Sequence, residues 1–484
     1  MKSLYLIILF LLAGTYAYCG GDTTRLTLQE VVELAKGNSI AAKQAVTTRD
    51  TRYWQWRTYK SNYEPQLSLS GNLPGYSKTS TPVIQPNGSI LFQSIHYDNS
   101  AVTLNFSQSI TATGATIYGT TQMQRFDDFD QNSVLYNGVP YAIGFSQPLG
   151  QYNSLKWDKK IQPLLYNESK QAYIEAQEQI SITVTGYFFD LLLAQVNLKT
   201  AQANLTNTQK LLKVSNLKFE LGKVSKNDIL QLQLEELNAK KAVGTAKRDV
   251  EIATLNLRSY IGAENDDKIE VVAPQTISQM TVTSDKVLSE ALENRSDAIA
   301  FVRRITEASR DVAVAKGATG FIATLTANLG TSNSATSIPG VYRSPQTQQL
   351  LELQFSVPIL DWGRSKARIK TAEAAQQLTV DSVERDKQTF KQQIVTQVSL
   401  FNMTKEQLAY TSLADSIASE KYQIARERYI LGDLSITDLS IAFTENDQAK
   451  RDYVQSLRDF WSAYYELRYL SLYDFEKNEK ITYK

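Results

Sequence analysis

One nine-residue stretch occurs twice, and its surroundings leave few folds open. Leu221-Gly222-Lys223-Val224-Ser225-Lys226-Asn227-Asp228-Ile229 returns 210 residues later as Leu431-Gly432-Asp433-Leu434-Ser435-Ile436-Thr437-Asp438-Leu439. Each copy lies between two long helix-periodic segments, so each predicts the tight turn of an antiparallel helical hairpin. Glycine ends the first helix. Serine starts the second, because its hydroxyl can cap the orphan N–H groups while an acidic residue three positions on returns the bond. Two such tips predict a duplicated architecture whose tips meet something.

The segments around the tips carry the duplication further. From Ser154 to Glu220 only Pro163 interrupts a helical pattern, and a helix of that length spans on the order of 85–100 Å. Leu191, Leu198, Leu205, Leu212 and Phe219 recur every seven residues, with Ala194, Ala201, Thr208 and Ser215 three positions after the first four. Large residues at one seam position and small ones at the other predict close coiled-coil packing. A second helix returns to about Tyr260, with Ile229, Val243, Val250 and Leu257 in register and Glu236 interrupting. The second half repeats the plan: Phe401, Leu408, Tyr422 and Tyr429 take the heptad places, with Asp415 where Leu205 stood. Val287, Leu288, Ala291 and Asn294 match Val31, Val32, Ala35 and Asn38 at an offset of 256, whereas Phe355 to Ile359 matches Phe145 to Leu149 at 210. The difference of 46 residues falls between the first-half strands and predicts an added β-hairpin there.

Ahead of each long hairpin the period changes. Leu26 to Tyr63 reads as one helix. Beyond Pro65, Leu67 and Leu69 alternate with Ser68 and Ser70; Val102, Leu104 and Phe106 alternate with Thr103, Asn105 and Ser107; Ile143 and Phe145 alternate with Gly144 and Ser146. Period two predicts strands with an apolar and a small-polar face. A barrel between lipid and water fits that pattern, and so does a half-buried soluble sheet. Tyr76 to Asn99 and Phe126 to Pro140 read as long exposed loops and Thr111 to Gly114 as a tight turn; further strands are expected at Phe321–Leu329 and Leu350–Pro358. Long loops on one side and short turns on the other favour the barrel.

Composition removes several function classes. Lys plus Arg (51) balances Asp plus Glu (50), so no charge excess points to nucleic acid or an anionic surface. The single histidine, His96, falls in an expected loop, and there is no phosphate loop, nucleophile elbow or Cys/His cluster, so no enzyme, cofactor or metal is expected. Trp54, Trp56, Tyr59 and Tyr63 suit either an interfacial belt or packing at the helix-to-strand joint, and Trp461, Tyr464, Tyr465 and Tyr469 suit packing of the last helix. Residues 1–19 read as an export signal: Lys2, the apolar run Leu4–Leu12, then small residues placed for cleavage after Ala17. Cys19, the only cysteine, has the place of a lipoprotein acceptor but is preceded by the bulky Tyr18. Beyond the signal no run of about 18 apolar residues occurs, so membrane insertion would use strands.

Over essentially the whole mature chain the sequence resembles the TolC-like outer-membrane efflux proteins. Leu28 to Asn38, the joint Val357-Pro358-Ile359-Leu360-Asp361-Trp362-Gly363-Arg364, and the two Leu-Gly-x-[Val/Leu]-Ser-x-x-Asp tips carry the resemblance. It implies an α+β, duplicated fold in which a homotrimer shares one transmembrane β-barrel, continuous with a long antiparallel α-helical coiled-coil tube in the periplasm. The expected domains are the signal 1–19, a first repeat 20–275 and a second repeat 276–484. The expected function is a passive exit duct of a tripartite efflux or type I secretion system in the outer membrane, contacting lipid and docking onto a periplasmic adaptor fed by an inner-membrane transporter. Docking falls to Leu221, Gly222 and Ser225 with Leu431, Gly432 and Ser435. Family members narrow the tube with acidic rings just after the second tip; Asp438 matches the first such position, while the second is Ile441. Asp438 is equally the partner of Ser435 in the helix cap. Family members usually give four strands per protomer and twelve per trimer; six and eighteen are open here. The rival reading is an exported periplasmic coiled-coil adaptor or scaffold without a barrel.

Overall fold

The computed structural model describes residues 24–263, 268–274 and 280–482. The expected signal 1–19 with Cys19 and the repeat boundary at 275–276 lie outside them. In chain order the elements are β1 (Thr24–Leu26), α1 (Leu28–Asn38), α2 (Ile40–Ser61), β2 (Gln66–Asn72), β3 (Tyr76–Ile84), β4 (Ile90–Ile110), β5 (Ala115–Asp128), β6 (Ser133–Leu149), α3 (Ser154–Glu220), α4 (Lys226–Ile261) and β7 (Ile269–Val271). The second half follows with α5 (Ser284–Asn294), α6 (Ser296–Gly317), β8 (Ile322–Ala335), α7 (Ile338–Arg343), β9 (Gln346–Ser356), α8 (Arg364–Leu431), α9 (Ile436–Ser471), β10 (Tyr473–Asp474) and β11 (Glu479–Lys480). Helix lengths repeat closely between the halves: α1 and α5 have 11 residues each, α2 and α6 22, α4 and α9 36, and α3 and α8 67 and 68.

Two expectations are corrected by local backbone chemistry. The single helix Leu26–Tyr63 is three elements. Leu26 pairs in parallel with Val271, and Ser39 leaves the helix at φ −61°, ψ 153°, where its Oγ accepts the Ala42 N–H at 3.0 Å and starts α2. The segments Tyr76–Asn99 and Phe126–Pro140 are largely strand, because a ribbon wet on both faces needs no apolar alternation to pair. His96 accordingly lies in β4, with the Tyr76 hydroxyl 3.0 Å from its Nε2.

The chain forms two compact units that each draw on both halves. The first gathers the described residues of 24–48, 171–295 and 390–482. Its core holds Phe188, Phe189, Leu191, Leu257, Phe401, Leu408, Leu457 and Phe460, all essentially inaccessible. Of the seam expected in α3, Leu191, Ala194, Thr208 and Ser215 are buried, Leu198, Ala201, Leu205 and Leu212 are half-buried, and Phe219 is exposed. In α4, Ile229 and Leu257 of the expected seam are buried and Val243 and Val250 are half-buried, while Leu232, Ala239, Ala246 and Ala253 form a second buried row. Small alanines at that second row allow closer approach than valine would. One window of 18 residues in α3 reaches a mean hydropathy of 1.2, and half of it is buried against the rest of the chain.

The second unit, Arg49–Lys170 with Ser296–Thr389, carries one antiparallel sheet in the order β2-β4-β5-β6-β8-β9, with β3 also on β4. Asn72 pairs with Ala101 and Tyr76 with Asp98, so three residues stand opposite two and β2 and β3 are one lane kinked by a bulge. The sheet therefore has six lanes, four from the first half and two from the second, and the added hairpin is paired within it. Register aligns one face across all six. Leu67, Phe106, Gly119, Ile143, Leu329 and Gln349 form one row; Ser68, Asn105, Thr120, Ala142, Gly330 and Gln348 form the neighbouring row on the opposite face.

Candidate functional site

At the hairpin tips the sequence chemistry is realised atom by atom. Gly222 and Gly432 have φ of 72° and 96°, a region where a side chain would strain the backbone. This left-handed step lets the Lys223 N–H reach the Lys218 carbonyl at 2.9 Å and the Asp433 N–H reach the Arg428 carbonyl at 3.0 Å. Ser225 Oγ accepts the Asp228 N–H at 3.2 Å and donates to Asp228 Oδ2 at 2.7 Å, and the Ser225 N–H donates to the same carboxylate at 3.1 Å. Ser435 and Asp438 repeat the first two bonds at 3.1 and 2.7 Å. Leu221 and Leu431 are left 71% and 76% exposed, so each tip ends in an apolar side chain held out by a rigid turn. Asp438 is exposed, and its carboxylate is engaged by the Ser435 hydroxyl.

Behind the tips the two hairpins lie side by side. The Asn207 amide donates to the Tyr422 hydroxyl at 2.8 Å, Ser215 Oγ is 3.1 Å from the Tyr429 hydroxyl, and Lys218 sits over the Tyr429 ring. Burial raises the Tyr422 pKa, against the opposing hydrogen bond from Asn207. An unexpected second seam runs along α8. Met403, Tyr410, Ile417, Ile424 and Leu431 recur every seven residues and are 52–76% exposed. They stand two positions after the inner seam Phe401, Leu408, Tyr422 and Tyr429, about 200° around the helix. A second heptad phase, read beside the first, was the signal for it.

Farther from the tips, the first unit holds a buried charge cluster that the sequence pattern hides. Glu178, fully buried, accepts from Lys36 Nζ at 3.0 Å and from Arg468 Nε at 2.9 Å, while Arg468 also pairs with Asp474. Desolvation lowers the Lys36 pKa despite that pairing. Trp461, Tyr464 and Tyr465 pack against one another beside it, and the Arg295 guanidinium lies over the Tyr469 ring. Among the described residues no three His, Cys, Asp or Glu side chains are grouped to hold a metal ion.

In the second unit, Trp56 stacks on Tyr166 and the Tyr63 hydroxyl donates to the Leu155 carbonyl at 2.8 Å, whereas Trp54 is exposed. The sheet's apolar face is bare: Leu67, Leu69, Ile143, Leu329, Leu351, Leu353 and Phe355 are each more than half exposed. So large a contiguous apolar surface is not left to water.

An outer membrane efflux protein family model matches residues 109–263 and 287–471. The chain belongs to the outer membrane efflux protein family. Membership of that family places the chain in the outer membrane, with its helices on the periplasmic side. The family is one of transport proteins. Among curated relatives, the solvent efflux pump outer membrane protein SrpC of Pseudomonas putida is 23% identical over 278 residues, 55% of this chain and 58% of SrpC. The match thus spans less than two thirds of that relative's length. Among solved structures, the outer-membrane channel OprN has a TM-score of 0.65 at 15% identity, covering 93% of this chain and 90% of OprN. The Campylobacter jejuni CmeC outer membrane channel has a TM-score of 0.63 at 15% identity, covering 94% and 87%. The fold is therefore the duplicated, α+β TolC-like fold.

Proposed function

We propose that three copies of this chain form an outer-membrane exit duct that conducts cargo passively, as one component of a tripartite efflux or type I secretion system. The observation that carries this reading is the six-lane sheet, apolar on one face and lined with Ser, Thr, Asn and Gln on the other, open at both edges. Lipid would cover the apolar face, water would fill the other, and further copies would pair with the edges. SrpC is the outer-membrane part of a solvent efflux pump, which supports efflux as the class of transport. The tips, with Leu221, Gly222, Ser225, Leu431, Gly432 and Ser435, would dock onto a periplasmic adaptor served by an inner-membrane transporter. Three Asp438 carboxylates would form a cation-attracting constriction at that end. The chain is read as two repeats, 20–275 and 276–484, a division of sequence that the two compact units cross. A barrel-less adaptor would have no use for an apolar sheet face.

The test is reconstitution of detergent-extracted protein into planar bilayers. A trimer with discrete conductance steps is the expected outcome. Protein that stays in water without detergent and passes no current would sink the reading.

A further inference from the structure

The joints that lead from strand into α3 and into α8 hold the same place in their repeats but differ in charge. At the offset of 210, Ser154 and Asp158 of α3 correspond to Arg364 and Arg368 of α8. The first joint is closed by its own polar groups. Gln151 Nε2 donates to the Ala323 carbonyl at 2.9 Å and to Thr324 Oγ1 at 3.0 Å, and Asn153 Nδ2 donates to the Thr111 carbonyl at 2.9 Å. The second joint is open. A cavity of about 320 Å³ lies there between the end of α6, the end of β9 and the first turns of α8, with Ser356, Arg364, Ser365 and Arg368 on its walls. That volume is at the lower end of the range of small-molecule sites.

The two guanidinium groups on this cavity lack what their neighbours have. Every cation of α6 has a carboxylate: Arg303 pairs with Glu168 and Glu307, Arg304 with Asp386, Arg310 with Asp311 and Lys316 with Glu373. Lys370, two residues past Arg368, shares Glu373. Among the described residues neither Arg364 nor Arg368 has an ion pair or a hydrogen bond, and both are exposed, so a ligand can reach them. The acceptors close by are committed. Asp361 caps α8, accepting the Gly363 N–H at 3.0 Å and the Ser365 N–H at 2.9 Å, and brings one negative charge against two positive ones. At the end of α6 the Val314 carbonyl accepts the Ala318 N–H at 2.9 Å and the Ala315 carbonyl accepts the Thr319 hydroxyl at 3.0 Å. Arg364 and Arg368 stand four residues apart on one face of α8, where like charges repel. An anion between them turns that repulsion into two charge-assisted contacts.

We propose that this cavity binds a phosphate group, held by Arg364 and Arg368 with the Ser356 hydroxyl as a further donor. A planar guanidinium presents two N–H groups to two phosphate oxygens at once, which an ammonium group cannot do. Position agrees with that chemistry. Phe321 and Phe355, with ring centres 6.5 Å apart and both more than half exposed, end the apolar face of the sheet, and Ser356 follows directly. Trp362, 89% exposed, precedes the arginines, as tryptophan does at the level of lipid headgroups. The cavity thus lies where the apolar face gives way to the helices, at the depth of phospholipid phosphates, and a free phosphate in the water reaches the same place. The site needs one chain alone, so it stands or falls separately from the proposed duct.

The test is isothermal titration calorimetry of the full chain in a neutral, phosphate-free detergent. One arm uses dioctanoyl phosphatidylglycerol and the other inorganic phosphate, while dioctanoyl glycerol serves as the lipid without phosphate. The variants are Arg364→Gln with Arg368→Gln, each of these alone, and Lys366→Gln, which lies between them but off the cavity wall. Circular dichroism and native mass check that each variant folds and assembles as the unaltered chain does, and the single variants carry the comparison if the double variant does not fold. The expected result is saturable binding in at least one arm, weakened at least about tenfold in the double variant and unchanged in Lys366→Gln. Binding of phosphatidylglycerol without binding of inorganic phosphate identifies a lipid headgroup; binding of inorganic phosphate, with or without the lipid, means that the group itself suffices. Equal binding of dioctanoyl glycerol, unaltered affinity in the double variant and both single variants, or no binding in either arm would overturn the site.

Discussion

Glu178 shows what a single residue holds. It is fully buried between two cations, Lys36 Nζ and Arg468 Nε, and Arg468 is held in turn by Asp474. Glu178→Gln keeps the volume but leaves two poorly solvated positive charges without their shared partner, which is expected to cost about 3–5 kcal/mol. Denaturant unfolding of the detergent-solubilised protein measures it; a loss under about 1 kcal/mol, the range of a solvated pair, would show that water already reaches the cluster. This cluster was illegible in the sequence. Residues 36, 178 and the pair 468 and 474 come from three distant segments, and in isolation Glu178 looks like one more charge on a wet helix face. Asp438 caps its helix through Ser435, and the gate proposed for it separates from that cap by substitution. Asp438→Asn retains an acceptor for the Ser435 hydroxyl but removes the charge. The expected outcome in bilayers is reduced cation preference with unchanged thermal stability. Unchanged selectivity would leave Asp438 as a cap residue alone.

At the scale of elements, the long helices and their tips were legible because their determinants are local. Leu-Gly and Ser-x-x-Asp fix a turn through bonds that span at most five residues, and the offset of 210 repeats those bonds. Ser39 was missed for a related reason: a serine inside an apolar-periodic run gives no outward sign that its backbone turns extended and caps a second helix. The strands of β3 and the distal part of β4 were missed because they carry almost none of the alternation that burial of one face imposes. The tips offer the direct test of element-level reasoning. Gly222→Ala and Gly432→Ala each place a Cβ on a left-handed residue in open space, so the cost is backbone strain alone, about 1 kcal/mol per site. Amide exchange should quicken in the last turns of α3 and α8 and stay unchanged in the sheet. Equal exchange at the tips would mean that the turns relax to another conformation.

For the whole molecule, the question is how much of the surface belongs to the monomer at all. The inner seam of α8 is consumed inside the chain, where Phe401 packs on Phe460 with ring centres 5.5 Å apart and Tyr422 on Phe443 at 5.7 Å. The outward seam, Met403, Tyr410, Ile417, Ile424 and Leu431, keeps the same seven-residue period over four heptads with nothing on it. A sustained heptad of apolar residues specifies a coiled-coil partner, and a helix needs a second such seam only if it has a second partner. In the duct proposed above, that partner would be a helix of the neighbouring chain. Tyr410→Glu with Ile417→Glu would place two carboxylates at the centre of that contact without touching the inner seam. The expected outcome is loss of trimer by native mass or analytical ultracentrifugation in detergent. Helix content by circular dichroism should hold, because both positions already face solvent in the single chain. A trimer that withstands both charges would mean that the copies are held by the sheet edges alone, and that the outward seam of α8 serves some contact other than assembly.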